Sequence, residues 1–240
     1  MVRGNRIAVI PARGGSKRLP RKNILEFGGR PMLVWTIEAT LECNLFDRII
    51  VSTEDAEIAD IARAHGIEVP FLRERLADDI TPSSAVTILV LGQLRQVLGE
   101  EYETVVQLMP NCPLRNAADI RTAITIFESN RRNFQISCTR FDWRNPWWAL
   151  QRDDDGRGEW MFSEAAKKRS QDLPPLYCPT GAIWIARVSP LCEAGTFYGP
   201  EHRFEPLPWQ RAVDIDERED LEFATALLNM RKDCGHGGQT

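Results

Sequence analysis

The chain has 240 residues, 43% hydrophobic and 27% charged, proportions that exclude disorder and fit one packed α/β domain with a modest insertion. Its formal net charge of −4 and isoelectric point near 5.6 argue against general affinity for nucleic acid or anionic membrane, so any basic site must be local. No run approaches the ~20 apolar residues of a membrane helix, the stretch Ile7–Ile10 after Arg3 and Arg6 is too brief for an export signal, and six cysteines without a CxxC pair read as reduced thiols of a cytoplasmic protein.

In chain order, Ile7–Ile10 reads as a buried strand followed by a polar, glycine-containing loop. Pro31, a favourable first-turn residue, opens a helix on which Leu33, Ile37 and Leu41 recur at four-residue spacing. Arg48–Ser52 (RIIVS) is a second strand. Thr53 or Asp55 can cap the helix carrying Ile58, Ile61 and Ala62, and Gly66 is placed to end it. Ile67–Leu72 looks extended, and the next helix carries Val86, Leu89, Val90 and Leu94. Thr104–Met109 is another β-rich run; Asn116 with Asp119 begins the following helix, and Phe134–Thr139 is the strand after it. The alternation resumes at Gly181–Ala186 and ends with a strand at Val213–Ile215 and a helix from Asp216.

Strands apolar throughout, separated by amphipathic helices, indicate a parallel sheet covered on both faces. The expected fold is α/β: a three-layer α/β sandwich around a mostly parallel, Rossmann-like sheet, with a small dimerisation insertion. Residues 1–139 and 178–231 form the main domain, 140–177 the insertion and 232–240 a flexible tail. Four of the seven tryptophans (Trp143, Trp147, Trp148 and Trp160) fall in the insertion among Arg, Asp and Gly. Aromatics mixed with Arg are enriched at interfaces, which suggests a homodimer; a local lid packed on its own domain is the alternative.

The segment Pro11–Asn23, PARGGSKRLPRKN, is the most informative part of the chain. Five cations (Arg13, Lys17, Arg18, Arg21 and Lys22) lie within ten residues of an otherwise acidic protein. Gly14 and Gly15 would let the backbone adopt positive φ, so that successive amides converge on an anion. The loop leaves the carboxyl end of a strand, where open α/β sheets bind ligands. The alternative is a solvated basic turn. Neither GxxxxGK[ST] nor GxGxxG is present, so the usual ATPase and NAD-binding fingerprints are missing.

This segment, with IVST at Ile50–Thr53, PFLR at Pro70–Arg73, CPLR at Cys112–Arg115 and VDID at Val213–Asp216, resembles the acylneuraminate cytidylyltransferases. These are the CMP-sialic acid synthetases and their relatives for other nonulosonic acids. The likeness runs in the family's order from Ile7 to about Leu228. It implies transfer of CMP from CTP to the anomeric hydroxyl of an α-keto sugar acid, with Mg²⁺ and release of pyrophosphate. By motif position, Arg13, Ser16, Lys17 and Lys22, around Gly14 and Gly15, correspond to the triphosphate-binding loop, and Asn23 to the nucleotide contact that closes it. Arg73 and Ser84 match residues near the cytosine and ribose. Arg169 matches a residue that the family's dimer arm extends toward the neighbouring subunit's sugar site.

In a strand, residues two apart share a face, so Asp214 and Asp216 would converge while Ile215 turns inward. Paired carboxylates at a strand end can bind Mg²⁺, with Asp214 the better candidate. Helix capping is the alternative, because Asp216 and Glu219 have capping-box spacing. Arg13, Lys17 and Lys22 would hold the departing pyrophosphate, and no general base stands out, since His65 and His202 are isolated in sequence.

Two departures from the family fall where the sugar acid should sit. Its usual QPTSPLR reads here as Met109, Pro110, Asn111, Cys112, Pro113, Leu114, Arg115, and its RPNGA as Cys178, Pro179, Thr180, Gly181, Ala182. Met109 for Gln and Cys178 for Arg remove a hydrogen-bonding fork and a cation, which alters discrimination built on polar groups. Met109 and Cys112 as mere core substitutions are the alternative. The acceptor-binding candidates are Met109, Asn111, Arg115, Arg169 and Thr180, and the acceptor is a nonulosonic acid not restricted to N-acetylneuraminate. A nucleotidyltransferase for another sugar or sugar phosphate, or a silent nucleotide-binding module, are the rival readings.

Overall fold

The computed structural model describes residues 2–74, 81–141 and 144–236; Trp143 and the tail beyond His236 lie outside them. The first half comprises β1 (Val2–Pro11), the short pair β2 (Glu26–Phe27) and β3 (Arg30–Pro31), α1 (Met32–Cys43), β4 (Arg48–Ser52) and α2 (Ala56–Ala64). Then come α3 (Ser83–Gln93), β5 (Glu100–Gln107), α4 (Ala117–Ser129) and β6 (Phe134–Arg140). The insertion contributes β7 (Leu150–Arg152), β8 (Gly158–Trp160) and a short α5 (Ser163–Ala166). The chain closes with β9 (Tyr177–Arg187), α6 (Val188–Ala194), β10 (Arg203–Pro206) and α7 (Arg218–His236).

Six strands form the central sheet in the order β10–β6–β9–β5–β1–β4. β1 runs parallel to β4 and β5, and β10 parallel to β6, while β9 is antiparallel to both β5 and β6. The sheet is thus mixed and mostly parallel. Side chains of β1 divide between its faces, as a pleated strand requires. Ala8 and Ile10 pack with Leu33, Ile37, Ile58, Ile120 and Phe127 of α1, α2 and α4. Ile7 and Val9 pack on the other side with Val90 and Leu91 of α3 and Leu191 of α6. Two helical layers enclosing one sheet give the expected three-layer sandwich.

Local signals behave largely as read. Asp55 caps α2, accepting from the N–H groups of Glu57 and Ile58, and Asn116 with Asp119 forms a capping box on α4. Leu41 is an exception, being 44% exposed while Leu33 and Ile37 are fully buried. At 100° per residue, the eight positions from Leu33 to Leu41 rotate the side chain about 80° off the buried stripe.

Two elements near the C-terminus differ from expectation. Val213–Ile215 is not a strand; Ile215 N–H donates a single bond to Asn111 carbonyl, 2.8 Å away, and the helix begins at Arg218. The strand that completes the sheet is β10, whose RFEP sequence has one large apolar residue. It lies at the edge, where charged residues and Pro are tolerated, so its pattern is nearly silent.

A third apolar cluster positions the functional residues. Leu19 and Phe27 from the basic loop and the β2–β3 hairpin, Met32 of α1, Leu114, Ile215, and Ala224, Leu227 and Leu228 of α7 are all buried together. Ile215 is therefore the peg that sets the flanking aspartates against the loop. In the insertion, β7 and β8 form a hairpin, Trp147 contacts Phe162 edge-on at 5.2 Å, and Trp148, Leu150, Trp160, Met161 and Phe162 are exposed.

Candidate active site

A cleft of about 560 Å³ opens at the carboxyl ends of β1 and β5. Its walls include Arg13, Ser16, Lys17, Arg18, Lys22 and Asn23 from the basic loop, Arg73, Ser83 and Val86 from the α3 side, and Met109, Asn111 and Asp216. Nine of the residues singled out from the sequence thus meet in one place: Arg13, Ser16, Lys17, Lys22, Asn23, Arg73, Met109, Asn111 and Asp216. Arg18, Ser83 and Val86 also line it. Arg18 was visible only as part of the charge density.

The loop is an arch with fixed feet. Ala12 N–H donates to Ser52 carbonyl at 2.9 Å, extending the β1–β4 pairing, and buried Asn23 donates through Nδ2 to Arg13 carbonyl at 2.8 Å. Asn23 therefore closes the loop through the backbone. The turn into Lys22–Ile24 passes through Arg21 in the left-handed region, at φ 56°. Arg21 is held there by ion pairs to Asp55 and Glu57.

The glycines work differently from the sequence reading. Neither Gly14 nor Gly15 has positive φ. Gly14 N–H is engaged by Glu54 Oε1 at 2.7 Å, and a Cβ on Gly14 would overlap Asp55 Oδ2 and lie 2.9 Å from its Cγ. Asp55 cannot move aside cheaply, because it caps α2 and pairs with Arg21. Gly14 is thus required for close approach. Gly14→Ala is expected to cost about 1–3 kcal/mol of stability by overpacking, seen as a lowered thermal midpoint. Gly15→Ala, with nothing within 4 Å of the new methyl, should leave that midpoint unchanged.

Asp216 is the electrostatic centre. Its Oδ1 accepts from Lys22 Nζ at 2.6 Å and from Asn111 Nδ2 at 3.2 Å, and its Oδ2 accepts from Arg18. Burial alone would raise its pKa, but Lys22 and Arg18 outweigh that and hold the carboxyl below the usual range. The capping alternative goes to another residue: Asp220 accepts from the N–H groups of Asp216 and Glu217, at 3.0 and 2.9 Å.

Asp214 and Asp216 do not share a strand face, since the segment is not a strand, although Asp216 lies near enough to act on the charge of Asp214. The Asp214 carboxylate turns back to accept from the Cys112 thiol and, at 3.3 Å, from Gly181 N–H. Burial raises its pKa. Cys112 is pushed well above the usual thiol range by burial and by Asp214, so it stays a neutral donor.

Other expected contacts are structural. Arg115 is buried; it donates to Met109 carbonyl at 3.2 Å, Ala182 carbonyl at 2.7 Å and Thr36 Oγ1 at 2.6 Å. Burial lowers its pKa to about 10. It ties β9 and α1 to the end of β5 behind the cleft. Thr180 faces inward, its hydroxyl 2.9 Å from Ser137 Oγ. Ser84 is buried, accepting from Phe197 N–H at 3.4 Å, while Ser83, which accepts from Gln107 Nε2 at 3.0 Å, takes the cleft position. Successive helical residues point about 100° apart, so a one-residue error exchanges wall for core. Arg169 is exposed in the insertion, paired with Asp172, and does not line the cleft of its own chain. Exposed His65 and the half-buried His202 bond to the carbonyls of Ile61 and Gly199, away from the cleft.

Mg²⁺ takes oxygen ligands, keeps several waters and typically needs one or two carboxylates beside phosphate oxygens. Asp216 fits that demand. Next to it, Asn111 Oδ1 is buried without a hydrogen-bond partner, a second oxygen available to an ion or its water. Among the described residues no group of three or more His, Cys, Asp or Glu could hold a metal.

A family model described as Cytidylyltransferase matches residues 7–141. A pseudaminic acid cytidylyltransferase of Campylobacter jejuni is 33% identical over 228 residues, 93% of this chain and 96% of that one. A CMP-N,N'-diacetyllegionaminic acid synthase of Legionella pneumophila is 31% identical over 238 residues, 95% and 98% of the two chains. Among solved structures, a CMP:2-keto-3-deoxy-manno-octonic acid synthetase complexed with CTP superimposes with a TM-score of 0.71 at 17% identity, covering 95% of this chain and all of that one.

Proposed function

The chain belongs to the cytidylyltransferase family, and we propose that it transfers CMP from CTP to the anomeric hydroxyl of a nonulosonic sugar acid, releasing pyrophosphate. The observation that carries this reading is the convergence of Arg13, Lys17, Arg18, Lys22 and Arg73 on one cleft with Asp216 in its wall. A triphosphate carries the complementary charge, and transfer at a phosphorus is promoted chiefly by positioning and neutralisation of charge.

Arg13, Lys17 and Lys22 bind the phosphates and neutralise the departing pyrophosphate. Lys22 and Arg18 are drawn from Asp216 toward phosphate oxygens as the nucleotide enters, so the loop exchanges one anion for another. Asp216, with Asn111 Oδ1 beside it, would hold Mg²⁺, which when bound supplies a Lewis acid for the α-phosphate. Arg73 and Ser83 flank the nucleoside end. Met109 lines the cleft with a thioether where the usual motif of the family it resembles has Gln, which favours a sugar acid with an apolar substituent there.

We further propose a homodimer. The exposed apolar side chains of the insertion support it, because contiguous apolar surface on a small arm is stabilised by a partner, and Arg169 on that arm would then serve the neighbouring cleft. A cytoplasmic setting accords with the free thiols of Cys43, Cys112, Cys138, Cys178 and Cys192. No helix among the described residues is long and apolar enough to cross a membrane.

The test is a pyrophosphate-release panel crossing CTP, UTP, ATP and GTP with pseudaminate, legionaminate, neuraminate and Kdo-type acids. Release is expected with CTP and a nonulosonic acid together. Equal turnover with sugar 1-phosphates would refute the acceptor class.

A further inference from the structure

We propose that Glu54, the residue that follows Thr53 in the turn after β4, is a positioning residue that locks the basic loop and Arg73 into the arrangement CTP binds; this rests on the reading of the cleft as the nucleotide site. Glu54 is absent from the cleft wall, so it acts through others. One carboxylate oxygen accepts from Gly14 N–H at 2.7 Å, and the other accepts from Arg73 NH2 at 2.6 Å. These two partners belong to different segments, Gly14 next to the wall residue Arg13 in the loop and Arg73 in the wall itself on the side toward α3.

Arg73 depends on this contact. Its side chain is 4% exposed, its NH1 reaches Ser52 Oγ only at 3.5 Å, and its Nε is buried without a partner. Burying a guanidinium is costly without a close anion to hold it, and among the described residues Glu54 is the carboxylate paired with Arg73. The backbone prepares the geometry: Arg73 N–H donates to Thr53 carbonyl at 2.8 Å, and Asp55 N–H to Thr53 Oγ1 at 3.1 Å. The turn is thus held from both sides of Glu54, while Asp55 fixes Arg21 farther along the same loop.

The two donors make the requirement on Glu54 specific. An ionised carboxylate accepts at both oxygens, whereas an amide of the same shape accepts at one position and donates at the other. Glu54→Gln therefore preserves volume yet turns an NH₂ group toward either Gly14 N–H or Arg73. A role in packing alone would tolerate that change; a two-acceptor clamp does not.

The experiment measures CTP binding by calorimetry, with KM and kcat from pyrophosphate release, for the wild type, Glu54→Gln, Arg73→Ala and the double variant. Glu54→Gln is expected to weaken CTP binding and raise KM for CTP about tenfold, with kcat changed less than about threefold. In the Arg73→Ala background the same substitution should weaken binding less than about threefold, because residues acting through one another are not additive. Unchanged CTP affinity in Glu54→Gln, with or without a lower thermal midpoint, would overturn the proposal, as would additive losses in the double variant. Wild-type protein that binds no CTP would overturn the reading of the cleft, and this proposal with it.

Discussion

Lys22→Ala is expected to lower kcat/KM for CTP by about three orders of magnitude, some 4 kcal/mol of transition-state stabilisation, with the fold intact. The size of the effect follows from where the ammonium sits. Its side chain is only 16% exposed, its Nζ lies 2.6 Å from Asp216, and the turn beginning at Lys22 fixes its origin. A preorganised cation in a partly enclosed cleft neutralises developing phosphate charge without reorganising at the moment of reaction. Folding should survive, because the lysine faces the cleft and Asp216 retains Arg18 and Asn111 as donors. Lys22→Arg keeps the charge but replaces a point donor by a planar fork, so it should recover only part of the rate. Pyrophosphate release and a thermal melt check both halves. Activity within tenfold of wild type would remove Lys22 from the chemistry.

That the loop could be found without coordinates has a local cause. Its cation density and its place after a buried strand are properties of consecutive residues, and so are the apolar runs of β1, β4, β5 and β6. What the sequence misassigned depends on residues far apart. The reversed direction of β9 cannot be read from its own pattern, because a strand buried on both faces looks alike in either orientation. Gly14 was correctly singled out but for the wrong reason: its constraint comes from Asp55, forty-one positions later, not from its own φ. Arg115 looked like a ligand-binding cation, yet its NH1 and NH2 groups donate to Ala182 carbonyl and Thr36 Oγ1, residues far from it in the chain. Glu54 gave no signal at all, since its two partners are separated by fifty-nine residues in the chain, from Gly14 to Arg73.

The same distances explain how an acidic chain maintains a basic cleft. Cations around the cleft are paired with carboxylates from neighbouring elements: Lys22 and Arg18 with Asp216, Arg21 with Asp55 and Glu57, and Arg73 with Glu54. Bringing like charges together would otherwise oppose folding. These carboxylates are not equivalent toward a ligand. Glu54 and Asp55 are bound to backbone N–H groups as well as to arginines, so they stay when a polyanion arrives. Asp216 is bound by side chains alone, and it is the one whose partners can leave.

That asymmetry makes Asp216→Asn the sharper probe of chemistry. The substitution removes the anion competing for Lys22 and Arg18, so CTP measured without divalent metal should bind at least as tightly as to the wild type. Turnover should nevertheless fall by about three orders of magnitude, because the amide is a poor ligand for a hard cation and leaves the α-phosphate without its counter-charge. Tight metal-free binding combined with lost, magnesium-insensitive turnover separates the two duties of the residue: holding the loop's cations before the nucleotide arrives, and holding the metal afterward. Weaker metal-free binding would mean that Asp216 props the cations in their binding positions. Full magnesium-dependent turnover would shift the ion to Asp214, which would first have to leave the Cys112 thiol and Gly181 N–H that now occupy it.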